Sequence, residues 1–426
     1  MVKSTLLLIL LLFSVYGQTQ SQIESALSEL PNLNYEKLDK GRKNEVYTLK
    51  IRQPLDHSDT TKGFFNQKVY LSHSSFETPM VIVTAGYNVN RNYTTELSKL
   101  LKSNQIIVEH RYFGESMPDS LDYHYLNLEQ ATADLHHIRQ LLAPVYSGKW
   151  ISTGVSKGGV TTIFYKYFYP NDVAVSVPYV APINKSYEEQ RIYKFLDTVG
   201  SDECRNKIKD FQTLVLKNRE KLMPLLNRYN IEVNASYTYL TFGEAFEYAV
   251  MEYPFSFWQW GSNCNEIPSN NSTIEEISAY FISVSDPTFF SDNAIKNYGS
   301  HYYQSATEMG YYGYETSEFK DYLIDITTDS NPMALFYPFE MTEQFNPQLL
   351  KHLNLWLETK GDKLIYIYGG NDTWSASAVP YNPNVDSEWF MMKGKHHGNA
   401  RVKYMTKDDQ KRFISTLEEW LSLKIK

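Results

Sequence analysis

The chain has 426 residues, 42% hydrophobic and 21% charged, a composition that suits a soluble globular protein. Its formal net charge is −8, with no lysine–arginine run and no nucleic-acid motif, which argues against a nucleic-acid partner. No stretch approaches ~20 uninterrupted apolar residues, which argues against an integral membrane span, and the length suits one large α/β domain carrying an insertion, or two domains.

In chain order, the first expected element is a leader. Lys3 supplies a positive start, Leu6–Val15 is a short apolar run and Gly17 is a small residue before a cut, so residues 1–17 read as a signal peptide and predict a secreted or periplasmic protein. Residues 45–53 and 65–73 show near-alternating patterns and read as strands. Met80–Gly86 and Gln105–Phe113 are almost wholly apolar at their starts, as expected of strands buried on both faces. Asn127–Leu142 reads as a helix, with Ala131, Leu135, Ile138 and Leu142 on one face. A strand at 149–156 then runs into a helix at 158–169, and 173–180 is a further buried strand. Strand and helix in this alternation predict an α/β fold with a doubly wound, mostly parallel sheet.

The alternation breaks after Pro182. Residues 185–345 read as a mostly helical, aromatic-rich cap inserted into a core formed by 18–184 and 346–426. The core resumes with a helix at 349–357, a buried strand at 363–370, a strand at 388–392 and a last helix capped by Thr406. Cys204 and Cys264 are the two cysteines; an even count in an exported chain predicts a disulfide between them. Neither has histidine or acidic neighbours at metal-ligand spacing, and no metal site is expected.

The stretch Gly154-Val155-Ser156-Lys157-Gly158 sits where a strand meets a helix. A serine bracketed by glycines at that junction is the pattern of a nucleophile elbow; the pentapeptide alone is a weak signal, and its context strengthens it. A serine hydroxyl needs a base, and in this fold the order along the chain is serine, acid, histidine. Asp372 follows the 363–370 strand, and His396 and His397 follow the 388–392 strand, so three features stand in that order, each just past a strand. The N–H of Lys157 is one expected oxyanion donor, and Gly86 or Tyr87 the other.

The segments E-H-R-Y-F-G-E-S-M-P (109–118), K-W-I-S-T-G-V-S-K-G-G (149–159), V-P-Y-V-A-P (177–182) and Y-G-G-N-D-T-W-S-A-S-A-V (368–379) resemble the secreted bacterial prolyl tripeptidyl aminopeptidase family of serine peptidases with the α/β-hydrolase fold. A more distant similarity is to the lysosomal Pro-X carboxypeptidase and dipeptidyl peptidase II family, which usually has tyrosine where Lys157 stands. The resemblance implies release of short peptides, tripeptides above all and often after proline, from a free N-terminus, without a metal or organic cofactor. It implies Ser156 as nucleophile, Asp372 as the orienting acid and a histidine of the Gly394-Lys395-His396-His397 loop as base; the glycine-x-histidine pattern selects His396. Thr373 departs from the family's usual proline after the aspartate. An exopeptidase also needs a partner for the substrate ammonium, for which Glu109 and Glu115 are the candidates, and Trp258, Trp260 and Trp374 are candidates for an apolar wall around proline. The same triad serves an esterase or a dipeptidyl peptidase, and a silent binding protein would be expected to lack one of its members.

Overall fold

A computed structural model describes residues 21–38, 45–326 and 331–425; the leader expected at 1–17 lies outside the described residues. Nine strands form one sheet: β1 (Leu33–Leu38), β2 (Glu45–Pro54), β3 (Phe64–His73), β4 (Met80–Thr84), β5 (Asn104–Val108), β6 (Trp150–Val155), β7 (Val175–Tyr179), β8 (Ile365–Gly369) and β9 (Glu388–Met392). Their order across the sheet is β1-β2-β3-β5-β4-β6-β7-β8-β9. The β1–β2, β2–β3 and β3–β5 pairs are antiparallel, and every pair from β5 to β9 is parallel. All residues of β4, β5, β7 and β8 are buried, which is why their sequences are mostly apolar rather than alternating, with Asn104, Gln105 and Ser176 as buried polar exceptions.

Helices cover both faces. They are α1 (Gln22–Ser28), α2 (Glu96–Leu101), α3 (Leu128–Leu142) and α4 (Lys157–Phe168) ahead of β7; α5 (Arg191–Leu196), α6 (Asp202–Lys217), α7 (Arg219–Glu232), α8 (Phe242–Trp260), α9 (Ile274–Val284), α10 (Asp292–Gln304) and α11 (Gln348–Thr359) between β7 and β8; and α12 (Lys407–Leu421) at the end. On one face Phe413, Leu417 and Leu421 of α12 pack with Val83, Ile151, Val177 and Ile367 of the sheet. On the other, Leu135, Ile138 and Leu142 of α3 pack with Ile82 and Ile106, while Val160 and Phe164 of α4 meet Leu353 and Leu357 of α11. Asn127 caps α3 by accepting from the Gln130 N–H at 2.9 Å, and Thr406 caps α12 by accepting from Asp409 at 3.1 Å.

The segment between β7 and β8 has its own aromatic-rich core, in which Phe211, Phe246, Tyr253, Phe257 and Phe281 are buried together. A disulfide between Cys204 on α6 and Cys264 beyond α8 closes it. Among the described residues no helix is long and apolar enough to cross a membrane.

The parallel strands all end on one edge. The segments following β4, β6, β8 and β9 therefore meet there, and this edge is where an open α/β sheet gathers its functional groups.

Candidate active site

At the end of β6 the chain makes a sharp turn into α4. Ser156 sits on that turn with φ 56° and ψ −126°, a backbone state that costs a non-glycine residue about 1–3 kcal/mol and persists only where its surroundings impose it. They do so by close approach. A Cβ on Gly154 would come within 2.3 Å of the Gly158 carbonyl oxygen, and a Cβ on Gly158 within 2.3 Å of the Thr84 carbonyl oxygen. The glycines around Ser156 thus let strand, turn and helix cross almost in backbone contact. The Ser156 N–H donates to the Tyr179 carbonyl at 2.9 Å, which ties the turn to β7.

Asp372 lies three residues beyond β8 and is fully buried. Its Oδ2 is 2.9 Å from Nδ1 of His397, not of His396. A carboxylate only accepts hydrogen bonds, so Nδ1 carries the proton and Nε2 is left as the free basic nitrogen. The expectation that His396 partners the acid is corrected here, and the loop geometry gives the reason. The His396 N–H is held by the Asn399 side chain at 2.7 Å, its Nδ1 accepts from Gly398, and its ring lies against Gly261, where a Cβ would approach it to 2.5 Å. Burial there lowers the His396 pKa. The His397 N–H instead donates to the Gln259 carbonyl near the end of α8, at 3.0 Å, which turns its buried ring toward Asp372. Trp260 stands edge-on to the His397 ring with centroids 5.8 Å apart.

The loop after β4 packs onto the elbow. A Cβ on Gly86 would meet the Gly158 nitrogen at 2.6 Å. The Lys157 side chain is buried, and its Nζ donates to the Gly86 carbonyl at 2.9 Å. Burial lowers its pKa to about 7, and the same burial raises that of Glu308 to about 7. Among the described residues the N–H groups of Gly86, Tyr87 and Lys157 donate to no protein acceptor. These donors belong to the elbow and to the loop packed against it.

Beside Ser156 lies a small, mostly apolar cavity of about 40 Å³, with Val160, Phe164, Ile183, Met309, Tyr311 and Trp374 among its walls. Nε1 of Trp374 and Nδ1 of His301, both on residues lining it, are buried without a hydrogen-bond partner among the described residues. Met309 and Tyr311 come from far along the chain and carry no signal in the sequence; folding alone brings them to the serine.

Three expected substrate contacts lie elsewhere. Trp258 is buried within the inserted segment with its ring against Gly200, and it lines a different cavity. Glu109 is buried and spends one oxygen on its own loop and the other on the loop after β4: Oε1 accepts from the Glu115 N–H, the Ser116 N–H and the Ser116 hydroxyl, and Oε2 from the Val89 N–H. Glu115 is 53% exposed and pairs with Lys68 and Lys50 on the antiparallel part of the sheet. Neither carboxylate is available to a substrate ammonium. Arg111 pairs with buried Asp134 instead. Among the described residues no group of three ligating side chains is placed to hold a metal ion.

The mostly parallel sheet with its strand-to-helix serine turn defines an α/β hydrolase. The chain belongs to the PS-10 peptidase S37 family, whose model matches residues 21–424, and it is a serine peptidase. It is 28% identical over 411 residues to the prolyl tri/tetrapeptidyl aminopeptidase of Streptomyces mobaraensis, covering 94% of this chain and 85% of that one. It is 30% identical over 105 residues to the lysosomal Pro-X carboxypeptidase of Homo sapiens, covering 22% of this chain and 21% of that one. Among solved structures, the proline iminopeptidase of Mycobacterium smegmatis aligns with a TM-score of 0.39 at 11% identity, covering 91% of this chain and 98% of that one.

Proposed function

We propose that this serine peptidase is an exported exopeptidase that releases short peptides, tripeptides foremost and with proline before the cut, from free N-termini. The observation that carries the mechanism is the 2.9 Å bond from His397 Nδ1 to Asp372, at the sheet edge that also bears Ser156. Ser156 Oγ attacks the scissile carbonyl, and Nε2 of His397 takes its proton. Asp372 holds the imidazole in the required tautomer and stabilises the imidazolium. The oxyanion is bound by the N–H of Lys157, at the start of α4, and by that of Tyr87. Tyr87 is favoured over Gly86 because Lys157 Nζ holds the Gly86 carbonyl, and a trans peptide directs the Tyr87 N–H the opposite way. His397 then protonates the leaving amine, and water, activated by the same histidine, releases the acyl group. The apolar cavity walled by Phe164, Met309 and Trp374 suits the proline ring. Support for proline also comes from the name of the Streptomyces relative, a prolyl tri/tetrapeptidyl aminopeptidase, and support for export from the leader-like residues 1–17.

The test is a substrate panel on the purified protein with Ser156→Ala as control: chromogenic Ala-Ala-Pro, Ala-Pro, N-blocked Ala-Ala-Pro and a short-chain ester. Turnover of free Ala-Ala-Pro, lost in the variant and on N-blocking, is the expected result. Preference for Ala-Pro would make it a dipeptidyl peptidase, and ester cleavage alone would overturn the peptide reading.

A further inference from the structure

The catalytic serine stands between two cavities. One is the small apolar pocket. The other is an open groove of about 920 Å³ that reaches the elbow through the residues before the serine. It is bordered by Gly154 and Val155, just before the serine; by Gly86 and Tyr87, the oxyanion loop; and by Gly398, next to His397. Tyr87 is a wall of both cavities. With the residue before the cut in the apolar pocket, and the leaving nitrogen at His397, the chain beyond the cut runs past Gly398 into this groove.

The groove is lined mainly by positive charge. The whole chain carries −8, yet Arg91, Lys99, Arg401 and Lys403 line this cavity against a single carboxylate, Glu96. Glu96 is already committed, since its two oxygens accept from the Val402 and Lys403 backbone N–H groups at 2.9 and 3.4 Å. Among the described residues none of the four cations forms a salt bridge. Arg401 is fixed in place by donating to the His397 and Ala400 carbonyls at 3.1 and 2.9 Å, and its guanidinium keeps further donors free. Arg401 lies over the Tyr179 ring and Lys403 over the Tyr404 ring, so the four cations lack carboxylate partners among the described residues and form an anion-selecting surface.

We propose that this groove binds the departing segment of the substrate and selects acidic residues in its first few positions after the cut. The inference rests on the peptidase reading of Ser156 and His397 and adds to it a substrate class, peptides with a proline-containing N-terminus followed by aspartate or glutamate. Because the pairs are exposed to solvent, the selection is modest and yields to salt.

The experiment compares kcat/KM for C-terminally amidated peptides Ala-Ala-Pro-X-X-Gly-Gly with X as Glu, Ala or Lys, in low and high salt. Each rate is referred to Ala-Ala-Pro-p-nitroanilide, which carries no peptide into the groove. Glu over Lys by about tenfold is expected at low ionic strength, shrinking toward parity at ~0.5 M salt, where the screening length falls to a few ångströms. The double variant Arg91→Glu/Lys403→Glu is expected to invert the preference. Equal rates for Glu and Lys peptides at low salt, or a preference untouched by both salt and charge reversal, would overturn the proposal. If the nitroanilide is cleaved and Ser156→Ala abolishes it, such a result fails the groove alone. If Ser156→Ala leaves cleavage intact, the peptidase reading itself fails.

Discussion

At the scale of single residues, the adjacent histidines separate most sharply. His397 bonds to Asp372, whereas His396 is spent on its own loop. Replacing His397 by alanine is expected to lower kcat/KM by about 10⁴-fold, while His396→Ala leaves kcat nearly unchanged; steady-state kinetics on one chromogenic peptide decides it. Lys157 is the second case. Its Nζ fixes the peptide unit that presents the Tyr87 N–H. Lys157→Met should lower kcat by about 10- to 100-fold with a smaller effect on KM, and weaken a boronic-acid analogue of the tetrahedral state in parallel. The same residue leaves a mark on stability. Its folded pKa is lowered from 10.5 to about 7 by burial. Between those values the unfolded chain retains a proton that the folded chain has released, so this contribution to stability rises with pH from about 7 to about 10.5 and is flat on either side. Buried Lys166, lowered to about 8, adds a rise of the same sign, so chemical denaturation across that range should show a shallower rise in Lys157→Met than in the parent, most clearly between about pH 7 and 8.

At the scale of elements, the crossing of β6 and α4 depends on absent side chains. Gly158→Ala would push a methyl group into the Thr84 carbonyl, and a loss of about 1–3 kcal/mol, seen as a lowered Tm, is expected together with reduced kcat as the serine shifts. This is also the level at which the sequence was most readable. The parallel strands β4, β6, β7 and β8 are evident because burial on both faces leaves continuous apolar runs, and Ser156 and Asp372 follow from their places just past strand ends. β1 escaped notice because Leu33–Leu38 is an edge strand with no fully buried residue, and its polar pattern resembles a loop. The histidine choice failed for a different reason. Neighbouring residues on an irregular loop have no periodicity to assign their directions, and here the directions are set by Asn399 and by Gln259 on a distant helix. Trp258 and Trp260 differ likewise: two positions apart on α8, one faces the interior of the insertion and the other the His397 ring. The partners of Glu109 are not legible in the sequence, because its four hydrogen bonds go to loop groups whose arrangement only the fold determines.

At the scale of the whole molecule, the segment between β7 and β8 meets the core at the site as well as through Ser300 on the Tyr112 carbonyl and Glu308 on the Leu128 N–H. Cys204 and Cys264 enclose a separation of 60 residues, for which the chain-entropy model assigns about 4 kcal/mol. Replacing both by alanine should lower the unfolding midpoint and open 185–345 to limited proteolysis before the core is cut. α8 reaches from that insertion to the sheet edge, where the Gln259 carbonyl accepts from His397 and the Trp260 ring stands against it. Trp260 is 58% exposed, with its ring edge-on to that of His397. An indole so placed is a reporter: its emission responds to the charge on the neighbouring imidazole and to anything that displaces it. The difference in fluorescence between the parent and Trp260→Phe would then follow the arrival of a peptide in real time, with no label attached.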